Sequence, residues 1–327
     1  MKRVVVTGGG GRVAYGLHFM LADGDLFGPD EQIALHIYDL PEMQGVIEAV
    51  AMELEDCAFP LLHEIKVGSD LNQMFEDVDC AFLVGAKPRG PGMERADLLL
   101  ENGKIFIDVG RALNESAKPD VKVLTCGNPC NTNCLIAMSH APKIPRKNFH
   151  ALMRLDHNRA QSILAKKAGV EISSVNQVII WGNHSATQVP DYTHVLLEGK
   201  EAEKSIDSSW LSDEFMRKVQ TRGSAIIKAS GKSSAASAAK ASIDAMRALF
   251  FPTPDGEWFT SGVCSNGNTY GIEENLIFGF PCFSKESGEY EIVPNLSWNA
   301  LIKEKIALTQ KEWISKREGV KEILRKL

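Results

Sequence analysis

The chain has 327 residues, of which 44% are hydrophobic and 24% charged, and its formal net charge is −6 at pH 7. This composition is ordinary for a globular protein, and the negative charge argues against a nucleic-acid-binding surface. The chain has no apolar run of about 18 residues that could span a bilayer, and the glycines from Gly8 onward interrupt the first apolar run too early for a secretory signal. We therefore expect a soluble, cytoplasmic protein whose partners are neither membranes nor nucleic acids.

Short apolar segments alternate with helical patterns through the first half of the chain. Strands are predicted over residues 3–6, 33–38, 65–67, 81–84 and 122–126, with 149–152 as a sixth candidate. Helices are predicted between them over residues 12–22, 42–55 and 93–103. Several strands are apolar throughout, which is typical of a parallel sheet covered on both faces. The alternation predicts an α/β fold, with a doubly wound parallel sheet of the Rossmann type and right-handed crossovers.

The second half of the chain has a different pattern. The elements predicted here are a helix over 155–168, a strand over 175–181, a long helical region over 211–249 that weakens at Gly231, β-rich segments over 258–295 and a charged helix over 299–327. We therefore expect two domains, one over residues 1–150 that contains the parallel sheet and a second, α+β domain over residues 151–327.

The cysteines predict neither a disulfide framework nor a metal site. Seven are present, an odd number with scattered spacing, which favours buried thiols. Cys130 and Cys134 lie four residues apart, but no second pair of similar spacing completes a zinc site. We expect no metal.

A glycine turn follows the first predicted strand and precedes the first helix. Two registers fit it, Gly9-x-Gly11-x-x-Ala14 and Gly8-x-x-Gly11-x-x-Ala14. Glycine permits a tight turn and lets backbone N–H groups approach a pyrophosphate at the positive end of the helix, while Ala14 permits close packing of that helix. A glycine-rich turn alone is a weak signal, but a strand before it and a helix after it favour dinucleotide binding.

Asp39 ends the second predicted strand, where a carboxylate can accept hydrogen bonds from the adenosine ribose. The same charge would repel a 2′-phosphate, so the residue favours NAD over NADP as cofactor. Its distance along the chain from Ala14 exceeds the usual spacing of about 20 residues. The insertion-like segment 23–30 accounts for the difference.

Two further segments follow the carboxyl ends of predicted strands, where ligands bind in such sheets. The first, residues 85–95, carries Arg89 and Arg95 among glycines and prolines, which is typical of a mobile lid but also of a solvated basic loop. The second carries Asn128, which can hydrogen-bond to the substrate or to the nicotinamide ribose, or simply form a turn before Pro129.

The most informative residues are Asp156, Arg159 and His184. Asp156 and Arg159 share one face of a predicted helix, and His184 follows a buried apolar run. A base, a carboxylate that orients it and a cation for an anionic substrate suit removal of a proton from a hydroxyl beside a carboxylate. A structural histidine at a strand end is the alternative for His184. His157 should point away, about 100° round the helix from Asp156.

The number of arginines constrains the substrate. Arg159 can hold one carboxylate by a bidentate fork, one loop arginine can polarise the reacting C–O group, and the other is left for a second carboxylate. An unmatched buried cation would cost roughly 3–5 kcal/mol. A dicarboxylic 2-hydroxy acid therefore fits better than lactate.

Five motifs in this order resemble the lactate/malate dehydrogenase family, and most closely its cytosolic, NAD-dependent malate branch. They are Gly8–Ala14, Pro88–Arg95, Gly127–Pro129, Leu155–Arg159 and Gly182–Ser185. The resemblance covers nearly the whole chain. It implies reversible hydride transfer between malate and NAD, giving oxaloacetate and NADH, as in the tricarboxylic acid cycle. A lactate or broad 2-hydroxyacid dehydrogenase and a non-enzymatic NAD-binding scaffold are the alternatives.

The resemblance also implies a role for each matching residue. His184 would exchange the substrate proton, and Asp156 would hold its imidazole. Arg159 would grip the carboxylate beside the reacting carbon, Arg95 would polarise the carbonyl, and Arg89 would bind the distal carboxylate.

The remaining matches concern the cofactor and the assembly. Asn128 would contact substrate and cofactor, and the other cofactor-binding positions would be Gly8, Gly11, Ala14, Asp39 and Asn102. Val109 departs from the family pattern, because a cofactor-contacting glutamine is common there. The family further implies a homodimer that acts on a small dicarboxylate.

Overall fold

The computed structural model describes residues 1–87, 95–286 and 288–324, and for residues 95–100 it describes the backbone alone. The chain forms two compact units. Unit 1 consists of Met1–Ala151, Ala235–Arg247 and Lys316–Leu327, and unit 2 consists of Leu152–Ser234 and Ala248–Ser315.

Unit 1 is built around a parallel sheet. Its strands are β1 (Lys2–Thr7), β2 (Ile33–Tyr38), β3 (Leu62–Gly68), β4 (Cys80–Leu83), β5 (Lys122–Thr125) and β6 (Phe149–Ala151). Its helices up to β6 are α1 (Arg12–Ala22), α2 (Gln44–Asp56), α3 (Leu71–Met74), α4 (Arg95–Ser116) and α5 (Cys130–Ser139). The strands lie in the order β6-β5-β4-β1-β2-β3, and every neighbouring pair is parallel. The predicted doubly wound sheet is confirmed.

The order of the strands reverses between β1 and β4, because the chain first builds outward from β1 to β3 and then returns to build from β4 to β6. Side chains of the central strands, such as Val4, Val5 and Phe82, are fully buried. In open α/β sheets, ligands bind beyond the carboxyl ends of the strands at such a reversal. A ligand-binding site is therefore expected at the segments that follow β1 and β4.

Two helices of unit 1 are missing from the sequence prediction, the single-turn α3 and the longer α5. Every residue of α5 is buried, including polar Asn131 and Thr132. Because α5 has no solvent-facing side, its sequence carries no amphipathic period that could reveal it. The helix predicted over 93–103 is also longer than expected, since α4 runs on to Ser116.

Unit 2 combines helices with antiparallel strands. Its strands are β7 (Val175–Asn176), β8 (Ile179–Trp181), β9 (Val189–Asp191), β10 (Leu196–Leu197), β11 (Lys200–Glu201), β12 (Phe259–Cys264), β13 (Ile277–Ser284) and β14 (Tyr290–Ile292). The helices of this half are α6 (Arg154–Ala168), α7 (Ser208–Trp210), α8 (Met216–Ser230), α9 (Ala236–Phe250), which belongs to unit 1 up to Arg247, and α10 (Ala300–Gly319). The pairs β12–β13, β13–β14 and β8–β9 are antiparallel.

Two predicted elements of the second half are divided. The strand predicted over 175–181 is split into β7 and β8, because Gln177 lies between them with a φ of 60°. The helical region 211–249 is split into α8 and α9, because Gly231 adopts a left-handed conformation, with φ of 70°, and ends α8. Glycine reaches that conformation without the steric penalty that a Cβ imposes.

The described helices include none that is long and apolar enough to cross a membrane. All seven cysteines lie in the described part of the chain as thiols, and most are buried.

His18 connects α1 to the turn after β1. The ring is fully buried, and its Nε2–H donates to the carbonyl oxygen of Gly9 at 3.0 Å. Burial lowers the pKa of His18 from 6.5 to about 4, although the bond to Gly9 acts in the opposite direction. The folded chain therefore needs a neutral ring at this position.

This environment predicts an acid-sensitive fold. As the pH falls below 6.5, the unfolded chain binds a proton at His18 before the folded chain does, so stability is lost. Between about pH 8 and pH 5 the parent should lose about 2 kcal/mol more unfolding free energy than His18→Gln. Urea unfolding at both pH values measures the difference, and His63→Gln, at an exposed histidine of β3, should behave like the parent. Equal losses in the parent and His18→Gln would contradict a neutral buried ring.

Candidate active site

The turn between β1 and α1 brings two backbone segments unusually close together. Gly8 has a φ of 66°, and a Cβ at this position would lie 2.5 Å from the Cα of Gly85, which follows β4. The amide of Gly85 donates to the carbonyl oxygen of Thr7 at 3.0 Å. The segments after β1 and β4, on either side of the strand reversal, therefore touch, and only glycine fits at position 8.

The same turn leaves the amino end of α1 able to receive an anion. Gly11 is the N-cap residue, its conformation is extended, and no side chain caps the helix. The first turn of α1 contains no acidic residue that would repel an anion, and Ala14 is fully buried beneath it. Backbone N–H groups and the helix dipole favour a phosphate at such a terminus.

Asp39 lies beside this turn, at the carboxyl end of β2. Its Oδ2 accepts a hydrogen bond from the amide of Gly10 at 2.9 Å, and its Oδ1 accepts one from the amide of Leu40 at 2.8 Å. A carboxylate offers about four lone-pair sites, so it can still accept hydrogen bonds from ribose hydroxyls. The glycine turn and Asp39 together fit a dinucleotide cofactor.

Two asparagines lie beside or within the segments that follow β4 and β5. Asn102, on α4, is fully buried; its Oδ1 accepts from the amide of Lys87 at 2.8 Å, and its Nδ2 donates to the Lys87 carbonyl at 3.1 Å. Asn102 therefore holds the start of the loop after β4. Asn128 is exposed beyond β5 and precedes a cis peptide bond to Pro129. Val109 is buried within α4.

The two loop arginines of the sequence analysis cannot be placed. Arg89 lies outside the described residues. Arg95 is the first residue of α4, but its side chain also lies outside them. Their assignments therefore still rest on the sequence.

The other predicted site residues come together in unit 2, around the carboxylate of Asp156. This side chain lies in the first turn of α6 and is completely buried. Its Oδ2 lies 2.5 Å from Nδ1 of His184, and its Oδ1 accepts from Nη1 of Arg159 at 3.0 Å. One carboxylate thus holds both the imidazole and the guanidinium.

Opposing effects act on the pKa of the Asp156 carboxyl. Burial by itself raises the pKa of Asp156, whereas the charge and hydrogen bond of His184, the charge of Arg159 and a hydrogen bond from Gln188 lower it. The lowering effects prevail, so the carboxylate is ionised. An ionised Asp156 holds Nδ1 of His184 in its protonated form.

Gln188 is a member of the cluster that the sequence analysis missed. Its side chain is buried and hydrogen-bonds to Asp156, and its backbone carbonyl accepts from Nε2 of Gln220 on α8 at 2.7 Å. Its Oε1 is buried without a hydrogen-bond partner. No pattern in the sequence marks Gln188. Its position four residues after His184 is too common a spacing to point to a shared site.

Arg159 has a second anchor and space around it. Its Nη2 donates to the hydroxyl of Ser234 at 3.1 Å. On α8, Gly223 faces the guanidinium, because a Cβ at this position would lie 3.9 Å from both terminal nitrogens. An arginine has five N–H donors, so the group can bind a carboxylate while keeping both anchors.

Two other histidines differ from His184 in their contacts. His157 points away from Asp156, as predicted, since its Nδ1 lies 3.2 Å from the hydroxyl of Thr260, and burial lowers its pKa well below the usual value. His194 forms a second histidine–carboxylate pair, 3.6 Å from Asp191. Asp191 also accepts a hydrogen bond from the indole of Trp181 at 2.9 Å, so this pair braces the fold.

The described residues offer no comparable cluster for binding a metal ion. Cys130 and Cys134 lie one turn apart in buried α5. Among the residues that the structure describes, no group of three or more histidine, cysteine or acidic side chains could hold a metal ion.

Sequence comparison identifies relatives over the full length of the chain. The malate dehydrogenase of Protochlamydia amoebophila is 53% identical over 324 residues, which is 99% of this chain and 98% of that protein. The malate dehydrogenase of Chlamydia muridarum is 52% identical over 318 residues, 97% of each chain.

Solved structures share the fold. The malate dehydrogenase of Naegleria fowleri matches with a TM-score of 0.94 and 40% identity, over 99% of this chain and 98% of that one. The Trichomonas vaginalis lactate dehydrogenase in complex with NADH and oxamate matches with a TM-score of 0.94 and 39% identity, over 99% of each chain.

Family models cover both halves of the chain. Residues 2–150 match the NAD-binding domain of lactate/malate dehydrogenases, and residues 153–323 match their alpha/beta C-terminal domain. The chain therefore belongs to the lactate/malate dehydrogenase family.

Proposed function

We propose that this chain is an NAD-dependent malate dehydrogenase, which interconverts malate and NAD with oxaloacetate and NADH. The observation that carries the proposal is the buried carboxylate of Asp156, which binds the imidazole of His184 and the guanidinium of Arg159 at once. Relatives named malate dehydrogenase at 52–53% identity support the same assignment.

The proton is carried by His184. Because Nδ1 is engaged by Asp156, the exchange with substrate is assigned to Nε2. In malate oxidation the imidazole takes the proton of the hydroxyl at C2, and Asp156 stabilises the imidazolium that results. In the reverse direction the imidazolium returns that proton to the oxygen of oxaloacetate. Arg159 holds the carboxylate beside the reacting carbon by its guanidinium fork.

A bound NAD would supply the hydride-accepting chemistry for oxidation at C2 of malate. Gly8, Gly11 and Ala14 would form the turn that receives its pyrophosphate, and Asp39 would accept hydrogen bonds from its ribose. Asn128 would contact the substrate or the nicotinamide ribose. Asn102 would act through the backbone of Lys87, which it holds by two hydrogen bonds.

The substrate assignment rests on Arg89 and Arg95. Together with Arg159 they supply three cations, which match two carboxylates and a polarised carbonyl. The second candidate is a lactate or broad 2-hydroxyacid dehydrogenase. The similarity to the Trichomonas vaginalis lactate dehydrogenase supports this alternative. Arg89 favours the dicarboxylate. A non-enzymatic scaffold would have no need for the cluster of His184, Asp156 and Arg159.

The proposal extends to a cytoplasmic homodimer that serves the tricarboxylic acid cycle. Tyr15 on α1 and Val46 and Met52 on α2 are large apolar side chains exposed in the single chain, and a second copy would cover them.

Sedimentation equilibrium tests the homodimer. The parent should have about twice the single-chain mass of 35.9 kDa. Met52→Glu should shift the mass toward that of one chain, because the dimer would have to bury the new carboxylate in its interface. Leu308→Glu, at an exposed leucine of α10, should leave the dimer intact. A parent that sediments as one chain would exclude the dimer.

A spectrophotometric assay tests the reaction. Oxaloacetate and pyruvate are each offered with NADH and with NADPH. The kcat/KM for oxaloacetate with NADH should exceed that for pyruvate by about 10²–10³, because pyruvate leaves one cation unmatched. Equal use of both acids would favour the second candidate, and no turnover of either would favour the scaffold.

The role of Arg89 has its own test. Arg89→Gln should lower kcat/KM for oxaloacetate far more than for pyruvate, because only oxaloacetate carries the distal carboxylate. Arg111→Gln, at an exposed arginine paired with Asp108 on α4, is the matched control. Equal losses for both acids would remove Arg89 from substrate selection.

His184→Asn should keep NADH binding and lose kcat by roughly 10²–10⁴, since the proton carrier is gone. Fluorescence titration with NADH and steady-state kinetics separate the two properties. His194→Asn is the control, because it removes the other histidine that is paired with a buried carboxylate. Turnover near the parental rate in His184→Asn would exclude His184 as the proton carrier.

A further inference from the structure

The segment that carries His184 is anchored on both sides of that residue to the C-terminal helix α10. After His184, the hydroxyl of Ser185 donates to Oε2 of Glu312 at 2.6 Å. The hydroxyl of Thr187 donates to the same oxygen. The amide of Thr187 donates to Oγ of Ser185 at 3.1 Å, which ties the two donors together. One carboxylate oxygen on α10 therefore accepts hydrogen bonds from both hydroxyl side chains that follow His184.

Before His184, the anchor is Thr309, one turn earlier on α10. The amide of Asn183 donates to its Oγ1 at 3.1 Å, and the hydroxyl of Thr187 lies 3.0 Å from the same atom. Gly182 has a φ of 96°, and a Cβ at this position would lie 2.4 Å from the Thr309 side chain. The backbone just before the base is thus in direct contact with α10.

The part of α10 up to Ser315 is itself firmly fixed within unit 2. Thr309 and Trp313 are fully buried, and the indole of Trp313 donates to the carbonyl of Ile277 in β13. Ile302 and Ile306 are buried on the same helix. Because buried side chains in a packed interior have little freedom to move, α10 gives the segment a rigid support.

The imidazole of His184 is therefore positioned from two directions. Asp156 on α6 fixes its Nδ1, and Glu312 with Thr309 fixes the backbone from which the ring projects. Catalytic groups must be held to within a fraction of an ångström, and a displacement of about 1 Å can cost about 10² in rate. Asp156 alone orients the ring without fixing its Cα.

We propose that Glu312 is a positioning residue for the proton transfer. Its carboxylate holds the Ser185 and Thr187 hydroxyls and so sets where His184 stands, without touching substrate or cofactor. The inference rests on the proposed function, since it assigns a role in the same reaction.

The test uses four variants of the full chain and a fifth as the control. Glu312→Ala removes the acceptor, and Thr187→Val removes one donor with little change in shape. Glu312→Gln and Thr187→Ser are the conservative pair, since each keeps an oxygen that can take part in the same bonds. Glu304→Ala, at an exposed glutamate of the same helix, is the matched control. Turnover is expressed per NADH-binding site, so unfolded protein does not contribute.

Glu312→Ala and Thr187→Val should lower kcat for oxaloacetate by about 10- to 100-fold. The Kd for NADH should stay within about twofold, since the glycine turn is untouched. Glu312→Gln and Thr187→Ser should recover most of the rate, and Glu304→Ala should match the parent. A role confined to stability would instead lower Tm and the number of NADH sites while leaving kcat per site unchanged.

Parental kcat per site in Glu312→Ala and in Thr187→Val would overturn the inference. That result would leave the proposed function intact, because the parent would still reduce oxaloacetate. Failure of the parent itself to turn over oxaloacetate would instead count against the proposed function.

Discussion

The buried negative charge of Asp156 is the constraint on which the site depends. An ionised carboxylate removed from water is destabilising by several kcal/mol unless charges and hydrogen bonds compensate it. Here the compensation comes from His184, Arg159 and Gln188. The same contacts that make the buried charge tolerable also fix the imidazole of His184 and the guanidinium of Arg159 relative to one another. The geometry of the proposed active site and the local stability of the fold therefore have one cause.

A second constraint is steric and belongs to unit 1. The strand order reverses between β1 and β4, and the segments after these strands approach until no Cβ fits at Gly8. Asp39 and His18 then hold the turn through the backbone of Gly10 and Gly9. The amino end of α1 is thereby presented in one conformation, which lowers the entropic cost of ordering a bound phosphate.

Much of this organisation is predictable from the sequence, and the exceptions have physical reasons. Several strands of the parallel sheet are apolar runs, and the pairing of Asp156 with Arg159 follows from their spacing on one helix. The buried helix α5 shows no period, so it escapes detection. Glu312 reaches Ser185 across 127 positions of sequence, and no local pattern encodes such a contact. The loop arginines were assigned by their resemblance to a family motif.

The decisive measurement for the buried charge compares oxaloacetate reduction in the parent and in Asp156→Asn between about pH 5 and pH 9. At neutral pH, kcat/KM should fall by about 10²–10⁴, since an amide cannot stabilise the imidazolium. The deficit should shrink as the pH falls, because the medium then supplies the proton that the carboxylate otherwise holds on His184. A deficit that is the same at every pH, or no deficit, would contradict the role given to the buried charge.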